Sequence, residues 1–370
     1  MTRHCRGCGE TTLHTVLDLG TVPAADHFPP GESPVDPAES GHGLRMDRCG
    51  ACGLAQLADD DTVTAEPHGV EPQALRDQAA EAVRQVGGAG LLDGSTVTEF
   101  GSPHGGTWLP LLTERGFTEP TDGPADVVLD CFGIMHEPDQ RAAFAGRAAA
   151  TAPGGVLLIQ YHSLAAIVAQ GQWNALRHGH FAYYSLATLR TLLRAAGMSV
   201  VSAWEFDLYG GTVLIAARHG THSADPSVAR VLATEEAALS PASLGALQQV
   251  VDRHVRGLRD WLEHTAAQGK RVFAYGAASR AVALLAMAGA HRGVLAGVAD
   301  ASPGKQGCRM PGTDVPIISP ATLTAADPDL VLLTLPDLFT EVSAALPAVA
   351  GRWMIDDPTG PRLPSANTLA

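Results

Sequence analysis

Four of the six cysteines stand in two close pairs near the amino end of the chain: Cys5, Cys8, Cys49 and Cys52. Two residues separate the thiols of each pair, a spacing that lets both thiolates face one tetrahedral metal ion. A glycine, Gly9 or Gly53, follows each pair and permits the turn that this geometry requires. The alternatives are two redox pairs or ordinary buried thiols, but paired knuckles in a reducing compartment are typical of metal sites. The four sulfurs therefore predict a closed, structural zinc site.

Two histidines, His178 and His180, flank Gly179 shortly before Ser185, a serine that can cap a helix. On an extended segment, residues two apart point to the same side, so the two imidazoles would lie together. An imidazole is the natural general base for removing a proton next to a ketone near neutral pH. The alternatives are metal binding by the pair, or ordinary positions in the core or in solvent. The pair is the candidate for proton transfer.

A glycine-rich turn follows a predicted strand at Glu99-Phe-Gly101, with Gly105 and Gly106 shortly after it. Glycines at a strand-to-helix turn let the backbone approach a ligand closely. An acid before the first glycine suits a cationic or amine-bearing ligand, such as S-adenosylmethionine, better than a pyrophosphate. Glu119 lies 20 residues further on, where dinucleotide folds place an acid on ribose hydroxyls. The alternative is that Glu119 is a solvated loop residue.

A second turn, Tyr275-Gly276-Ala-Ala-Ser-Arg280, also follows a predicted strand. Its small residues would let the backbone meet a phosphate, and an arginine can pair with a phosphate through two hydrogen bonds. Lys305 lies in a loop after the next predicted strand, where Rossmann-like sheets also bind ligands. The alternatives are helix–sheet packing for the turn and surface ion pairing for Lys305.

The elements that must position these residues are read from the apolar pattern. A strand, a glycine turn, a helix and a second strand ending in an acid form half of a Rossmann-type sheet. An antiparallel pair is expected at 204–208 and 212–217, and a long amphipathic helix at 241–267. Six buried strands are predicted, three in each of two blocks: 95–101, 125–130, 155–160, 270–276, 293–300 and 329–334.

The chain has 370 residues and a net charge of −14, which favours two or three domains and disfavours binding to phosphate backbones or anionic lipids. Its 45% hydrophobic residues are enough for real cores. The sequence contains neither an 18-residue apolar run nor a signal-peptide core at Met1 to Gly9. We therefore expect a soluble, cytoplasmic protein with no nucleic-acid or membrane partner.

The order of these motifs resembles the sugar C-methyltransferases, which act on nucleotide-linked 4-keto-deoxyhexoses in antibiotic pathways. The carboxyl block carries the closest similarity, with YGAA at 275–278, DASPGKQG at 300–307 and PGTDVPIISP at 311–320. The amino end adds CGLAQL at 52–57, and the middle adds Gly210-Gly211. The similarity covers essentially the whole chain, and the combination of motifs is specific.

The resemblance implies an α/β protein: a zinc-binding lobe at 1–60, a methyltransferase-like Rossmann domain at 61–240 and a Rossmann-like domain at 241–370 led by the long helix. It implies S-adenosylmethionine-dependent methylation at carbon 3 of a 4-keto-deoxysugar linked to a nucleotide, expected to be thymidine diphosphate. His180 would be the base, with His178 beside it, and the first glycine turn would hold the cofactor. Substrate contacts would come from Tyr183, Tyr275, Gly276, Arg280, Lys305 and Gln306.

The chain also departs from that family. Arg177 replaces a tyrosine and Gly179 a glutamate, so a carboxylate that could orient the imidazole is absent. The stretch from 107 to 125 is too short for the strand, helix and strand that normally enclose the adenosine. Two alternatives follow: an epimerase or isomerase that enolises the same sugar without a methyl donor, or a non-catalytic relative that binds a nucleotide sugar or a partner protein.

Overall fold

The computed structural model describes residues 3–62, 71–103 and 105–365, which form three β-sheets flanked by helices. The first sheet is antiparallel, with the order β1-β2-β3-β7. Its strands are Leu13–Val22 (β1), His42–Cys49 (β2), Ala55–Leu57 (β3) and Ala182–Tyr183 (β7). Strand β7 comes from the middle of the chain and pairs with β3, so that Tyr183 lies opposite Ala55. The segment that follows His180 thus completes the sheet of the amino-terminal lobe.

The central sheet has the order β4-β5-β6-β9-β8. Its strands are Val97–Phe100 (β4), Ala125–Cys131 (β5), Thr151–His162 (β6), Met198–Phe206 (β8) and Thr212–His219 (β9). The first three strands run parallel, and their apolar runs are buried because helices cover both faces. Strands β9 and β8 are antiparallel additions. The structure confirms the three predicted parallel strands and the antiparallel pair, with β8 at the sheet edge.

Because the stretch from 107 to 125 is short, β4 forms the edge of the central sheet opposite β8. Beyond it, the described chain offers the five-residue helix Leu109–Thr113 (α2) and an isolated parallel bridge between Thr96 and Thr118. A complete Rossmann sheet would place two further strands on this side of its first strand. The central sheet therefore ends where the adenosine of a cofactor would ordinarily be enclosed.

The carboxyl-terminal sheet is parallel throughout, with the order β12-β11-β10-β13-β14. In order of appearance this is 3-2-1-4-5, the arrangement of a Rossmann sheet. The predicted fold class, two Rossmann-like α/β units behind a cysteine-rich lobe, is confirmed. The strands are Val272–Tyr275 (β10), Val298–Ala299 (β11), Ile317–Ile318 (β12), Leu330–Leu333 (β13) and Trp353–Ile355 (β14), and the helices are Ser279–Met287 (α8), Pro320–Ala325 (α9) and Phe339–Ala345 (α10).

The long helix Pro241–Ala267 (α7) has the predicted bounds, and its apolar side joins β1 and the carboxyl-terminal sheet in one core. Ser185 caps the helix after β7 as predicted, by accepting a hydrogen bond from the Thr188 amide. No helix of the described ranges is long and apolar enough to cross a bilayer. The remaining helices are Gln73–Gly88 (α1), Gln140–Ala150 (α3), Leu164–Gln170 (α4), Leu186–Ala195 (α5) and Pro226–Ala238 (α6).

Candidate functional site

The four paired cysteines come together in the amino-terminal lobe, with all Sγ atoms within 4.8 Å of one another. The Sγ atoms of Cys5 and Cys52 are 3.5 Å apart, and those of Cys8 and Cys49 are 3.6 Å apart. A tetrahedral zinc ion with Zn–S bonds of about 2.3 Å needs sulfurs about 3.8 Å apart. The donor set therefore fits zinc, and four thiolates close the coordination sphere.

The two cysteine knuckles have the same local geometry. Gly9 and Gly53 have φ values of 80° and 81°, in the left-handed region that favours glycine. Their amides donate to the carbonyls of Cys5 and Cys49, at 2.9 and 3.1 Å. Both glycines are needed for the turns that bring the second thiol of each pair back to the site.

A cleft of about 370 Å³ separates the central and carboxyl-terminal sheets. It is lined by the loops after β4, β5 and β6 on one side and by those after β10, β11 and β13 on the other. Ligands of α/β proteins bind at the carboxyl ends of parallel strands, so this cleft is the candidate active site. The predicted site residues that line it are Gly105, Gly106, His180, Tyr183, Tyr275, Gly276, Arg280 and Lys305. Those that do not are Glu99, Gly101, Glu119, His178 and Gln306.

His178 and His180 point in different directions. Gly179 has a φ of 78° and turns the backbone between them. His178 lies 3.2 Å from the Gly43 carbonyl and packs edge-on against His42 in β2, whereas His180 lines the cleft. The expectation that both rings share one side is therefore wrong, because it assumed an extended segment.

His180 is 7% exposed and is held by neighbours from two elements. Its Nε2 accepts a hydrogen bond of 2.8 Å from Arg177 Nε, so the neutral ring carries its hydrogen on Nδ1. Its ring meets that of His136 edge to face, with centroids 4.5 Å apart. Asp60 of the amino-terminal lobe accepts the Gly179 amide at 2.8 Å. Together with the β3–β7 pairing, this bond makes the cysteine-rich lobe the support of the His180 segment.

Tyr183 lines the cleft, but its hydroxyl is used by the backbone. The hydroxyl oxygen accepts the Arg177 amide at 3.1 Å, and the hydroxyl donates to the Ala175 carbonyl at 3.2 Å. Burial raises the pKa of this phenol, so it stays protonated at neutral pH. Tyr183 therefore fixes the turn that carries Arg177. The part of Tyr183 that can contact a ligand is its aromatic ring.

His136 lines the cleft and was not predicted from the sequence as a site residue. Its Nδ1 donates to the Gly179 carbonyl at 3.0 Å, which leaves Nε2 as the imine nitrogen of the neutral ring. The turn that carries it is fixed by Asp130, whose carboxylate accepts the amides of Gly133 and Ile134 at 2.8 and 2.9 Å. The available signal was an acid ending a buried strand, six residues before a histidine.

His162, at the end of β6, is a second missed histidine of the cleft. Burial, with a smaller effect of nearby Arg280, lowers its pKa to about 3. His162 therefore stays neutral throughout the physiological range and carries no positive charge into the site. Arg177 and Tyr209 also line the cleft and were not assigned to the site from the sequence.

The carboxyl-terminal side of the cleft is suited to an anion. Helix α8 begins there, and Ala278 at its N-cap has no side-chain acceptor for the first amides of the helix. Arg280 donates from Nη2 to Asn174 at 3.2 Å, while its buried Nε has no hydrogen-bond partner within the described chain. Lys305 is 4% exposed, donates to the Ala277 carbonyl and lies 4.7 Å from the Phe28 ring centroid. Surface ion pairing of Lys305 is thereby excluded.

Gly276 is required by close packing at the same edge. Its φ is 99°, and a Cβ at this position would lie 2.6 Å from the Thr334 hydroxyl oxygen. That hydroxyl donates to the Gly276 carbonyl at 2.6 Å. This close approach is to Thr334, the residue that follows β13, so it agrees with the packing alternative, and the predicted contact with a phosphate stays a prediction.

The first glycine turn contributes its second half to the cleft. Glu99 accepts hydrogen bonds from the Thr107 hydroxyl and, at 2.9 Å, from the Trp108 amide, so its carboxylate caps the start of α2. Burial raises its pKa. Gly105 and Gly106 have φ values of 86° and 85° and line the cleft.

Glu71 is the carboxylate that lies beside this turn in the cleft. A Cβ on Gly106 would stand 2.6 Å from Glu71 Oε1, so only glycine allows the carboxylate this close. A carboxylate beside a glycine turn at the end of β4 fits the amine or sulfonium end of S-adenosylmethionine. The purine of this cofactor would lie beyond β4, where the described residues provide one isolated β-bridge, between Thr96 and Thr118.

The positions of Glu119 and Gln306 do not support the ligand contacts that were predicted for these two residues. Glu119 is exposed, and its neighbour Thr118 pairs with Thr96, which lies before β4 begins. Gln306 donates from Nε2 to the Asp300 carbonyl at 3.0 Å and stabilises the loop after β11. Neither side chain lines the cleft.

Comparison with protein families gives three matches along the chain. Residues 5–66 match a "Putative zinc binding domain", residues 117–203 a "Methyltransferase domain", and residues 207–355 a "C-methyltransferase C-terminal domain". These matches confirm the resemblance in domain content and order, and the zinc-binding match agrees with the four clustered thiols.

Relatives are found among curated proteins and solved structures. The C-methyltransferase NovU of Streptomyces niveus is 27% identical in an alignment that covers 89% of this chain and 88% of the relative. The 1,6-didemethyltoxoflavin-N1-methyltransferase of Burkholderia thailandensis, solved with S-adenosylhomocysteine, is 17% identical, covers 45% of this chain and 96% of its own, and has a TM-score of 0.32. An O-methyltransferase family protein of the same species is 20% identical, covers 40% and 60%, and has a TM-score of 0.27.

Proposed function

The chain is a methyltransferase with the domain set of the C-methyltransferases, and from this premise we propose that it methylates carbon 3 of a nucleotide-linked 4-keto-deoxysugar. Thymidine diphosphate is the nucleotide we propose, in a pathway that makes antibiotic sugars. The observation that carries the proposal is the cleft itself. Anion-binding groups line one wall and histidines the other, at the carboxyl ends of two Rossmann-like sheets.

In this proposal the carboxyl-terminal wall holds the diphosphate. Arg280, Lys305 and the first amides of α8 present positive groups in a chain whose net charge is −14. Tyr275 and Gly276 lie at the same edge and would contact the nucleotide part. With the diphosphate held there, the sugar extends across the cleft toward His180.

His180 is the proposed general base. Its Nε2 takes the proton from carbon 3, and the electrons of that C–H bond form the enolate of the neighbouring ketone. His136 packs against the base, and His162 keeps the site free of a further positive charge because its low pKa leaves it neutral. The result is a nucleophilic carbon next to the first glycine turn.

S-adenosylmethionine, when bound, supplies an electrophilic methyl group on its sulfonium. The residues of this chain that would hold it are Gly105 and Gly106, with Glu71 toward its positive charge. Phe132 and Met135, after β5, give an apolar wall that excludes water from this part of the cleft. Loss of water protects the enolate from being reprotonated by solvent.

The experiment compares two neighbouring histidines. Purified enzyme is incubated with S-adenosylmethionine and a thymidine-diphosphate-linked 4-keto-deoxyhexose, and the methylated sugar is detected by mass spectrometry. We expect His180→Ala to lower kcat by about 10²- to 10⁴-fold, the usual contribution of a general base. His178→Ala is the matched control, since His178 lies outside the cleft, and should retain activity within about fivefold. Equal losses in both variants would refute the assignment of the base.

A second candidate function is cofactor-free enolisation, as in an epimerase or isomerase of the same sugar. The observation in its favour is the open edge beyond β4, where the described chain has one isolated bridge in place of two strands. The same substrate in deuterated water tests it, without a methyl donor. Proton exchange at carbon 3 with a changed configuration, and no methylation when S-adenosylmethionine is added, would favour this function over methyl transfer.

A further inference from the structure

Arg177 occupies the nitrogen that the proposed base must use. Arg177 Nε donates to His180 Nε2 at 2.8 Å, so the lone pair that would accept the proton already holds a hydrogen bond. In this arrangement His180 cannot take a proton from any substrate until the guanidinium moves. A guanidinium only donates hydrogen bonds, so the imidazole nitrogen is the acceptor in this contact.

The surroundings of the Arg177 side chain allow it to take a second position within the cleft. Its side chain lines the cleft together with Arg280, whose pKa is lowered mainly by burial and to a smaller extent by the positive charge of Arg177. Two guanidinium groups that repel each other attract an oxygen anion placed between them. The backbone of Arg177 does not follow, because its amide is held by the Tyr183 hydroxyl at 3.1 Å. The movement is therefore confined to the side chain.

We propose that Arg177 covers the basic nitrogen of His180 in the empty site and, once a ketone binds, moves to the carbonyl oxygen and stabilises the enolate. This inference rests on the proposed function and adds a group that couples substrate binding to activation of the base. The proton of carbon 3 passes to His180 Nε2, the C–H electrons form the C3–C4 double bond, and the negative charge rests on the C4 oxygen. Arg177, once it has moved, donates a hydrogen bond to that oxygen, so the negative charge develops next to a cation.

The cover can be tested without any substrate. Diethyl pyrocarbonate acylates the unprotonated nitrogen of imidazole, and mass spectrometry of peptides gives the rate at His180 alone. We expect Arg177→Ala to raise this rate by about tenfold, since a hydrogen bond worth about 1.4 kcal/mol is removed from Nε2. Arg280→Ala is the matched control, because it removes a neighbouring cation of the cleft and leaves the Arg177–His180 bond in place. An unchanged acylation rate in Arg177→Ala, or an equal rise in both variants, would overturn the proposal that Arg177 covers Nε2 of His180.

The second role is tested by proton exchange with the full enzyme. In deuterated water with the 4-keto sugar, Arg177→Ala should slow exchange at carbon 3 by about 10²- to 10³-fold, the usual cost of one oxyanion donor. Arg177→Lys keeps a cation and should recover about tenfold of that loss. The KM should change by less than about threefold, because the contact with the C4 oxygen strengthens mainly as negative charge develops on the enolate.

The two tests separate the failure of this inference from the failure of the proposed function. If the native enzyme shows neither exchange nor methylation, the proposed function fails while the acylation rates still report on the cover. If the native enzyme exchanges the proton and Arg177→Ala does so at the same rate, the role of Arg177 at the enolate fails while the proposed function stands. Circular dichroism of each variant establishes that it is folded.

Discussion

The central and carboxyl-terminal sheets both have a Rossmann-like arrangement, but the carboxyl-terminal sheet is complete and the central sheet is shortened. Each has a first strand, β4 or β10, followed by a glycine turn that faces the shared cleft. In the carboxyl-terminal sheet the first strand has neighbours on both sides, in the order 3-2-1-4-5. In the central sheet the first strand is an edge.

This difference separates two tasks. The complete sheet presents Arg280, Lys305 and a helix amino end, which suit a diphosphate. The shortened sheet presents His136, His162 and His180, which suit proton transfer, and it relies on strand β7 and the amino-terminal lobe to position the last of them. Binding and chemistry should therefore fail separately when the two sides are altered separately.

Among changes made outside the cleft, the largest effect is expected from the cysteine cluster, which supports the segment that carries His180. Cys49→Ser should lower the zinc content below the expected value of about one per chain and lower kcat by about 100-fold. The reason is the direct path from the cluster through β3 to β7 and His180. Hydrogen exchange followed by mass spectrometry should show faster exchange of the β7 amides.

The matched control for this change is Cys308→Ser, which alters a partly buried thiol outside the cluster. It should retain zinc and activity. A comparable loss of protection across β10 to β14 in Cys49→Ser would show that the cluster stabilises the whole chain and does not act on the His180 segment in particular.

A binding effect is expected on the other side of the cleft. Arg280→Ala should weaken binding of thymidine diphosphate by about 10- to 100-fold in calorimetry, the range for a charge-assisted hydrogen bond of about 1.5–3 kcal/mol. Binding of S-adenosylmethionine should be unaffected. Arg253→Ala, an exposed position on α7, is the control. If Arg280→Ala leaves nucleotide binding intact, the division of tasks between the sheets is incorrect.

Local patterns predicted most of the fold and part of the site. Strands β5 and β6 and helix α7 were predictable because continuous apolar runs and an apolar face at helical spacing reflect burial directly. The knuckles of Gly9 and Gly53 were predictable because zinc dictates their geometry. The sequence indicated an anionic ligand only through Arg280 and Lys305, two cations that follow predicted strands.

The remaining site residues depend on contacts that sequence spacing does not encode. The directions of His178 and His180 are set by one backbone angle at Gly179 and by Asp60, which is distant in the sequence. The assignment of His136 required knowing that its turn faces the cleft. The role of Glu99 changed because a helix start needed a cap, a local demand that outweighed the expected ligand contact.

A smaller effect, on the free energy of unfolding, is expected at Glu235 of helix α6, on the side of the molecule that presents the cleft histidines. This buried carboxylate accepts the Leu186 amide at 2.5 Å and the Ser163 hydroxyl at 2.8 Å, and burial raises its pKa to about 7. The folded state then holds a proton that the unfolded chain releases near pH 4.5, so stability falls as the pH rises through 7. Between pH 5.5 and 8 the free energy of unfolding should drop by roughly 2 kcal/mol from this group.

Denaturant titrations of Glu235→Gln and Glu236→Gln across this pH range measure that effect. Only the first should flatten the pH dependence, since Glu236 is exposed on the same helix. Glu39 of the amino-terminal lobe is paired with Arg309, which lowers the pKa of Glu39 to about 2, so Glu39 stays ionised throughout. An unaltered pH profile in Glu235→Gln would contradict the link between pH sensitivity and the chemical side.

The smallest effect is expected at Glu119, the acid predicted to contact the ribose. Its neighbour Thr118 pairs with Thr96, so Glu119 is level with Val97 at the start of β4. Three residues of strand, about 10 Å at 3.3 Å per residue, separate that level from Phe100 and the cofactor turn. Glu119→Gln should change the Kd of S-adenosylmethionine by less than about threefold in calorimetry, while Glu71→Gln, beside Gly106, should raise it by about tenfold. A larger effect at Glu119 than at Glu71 would mean that the open edge of the central sheet still holds the adenosine.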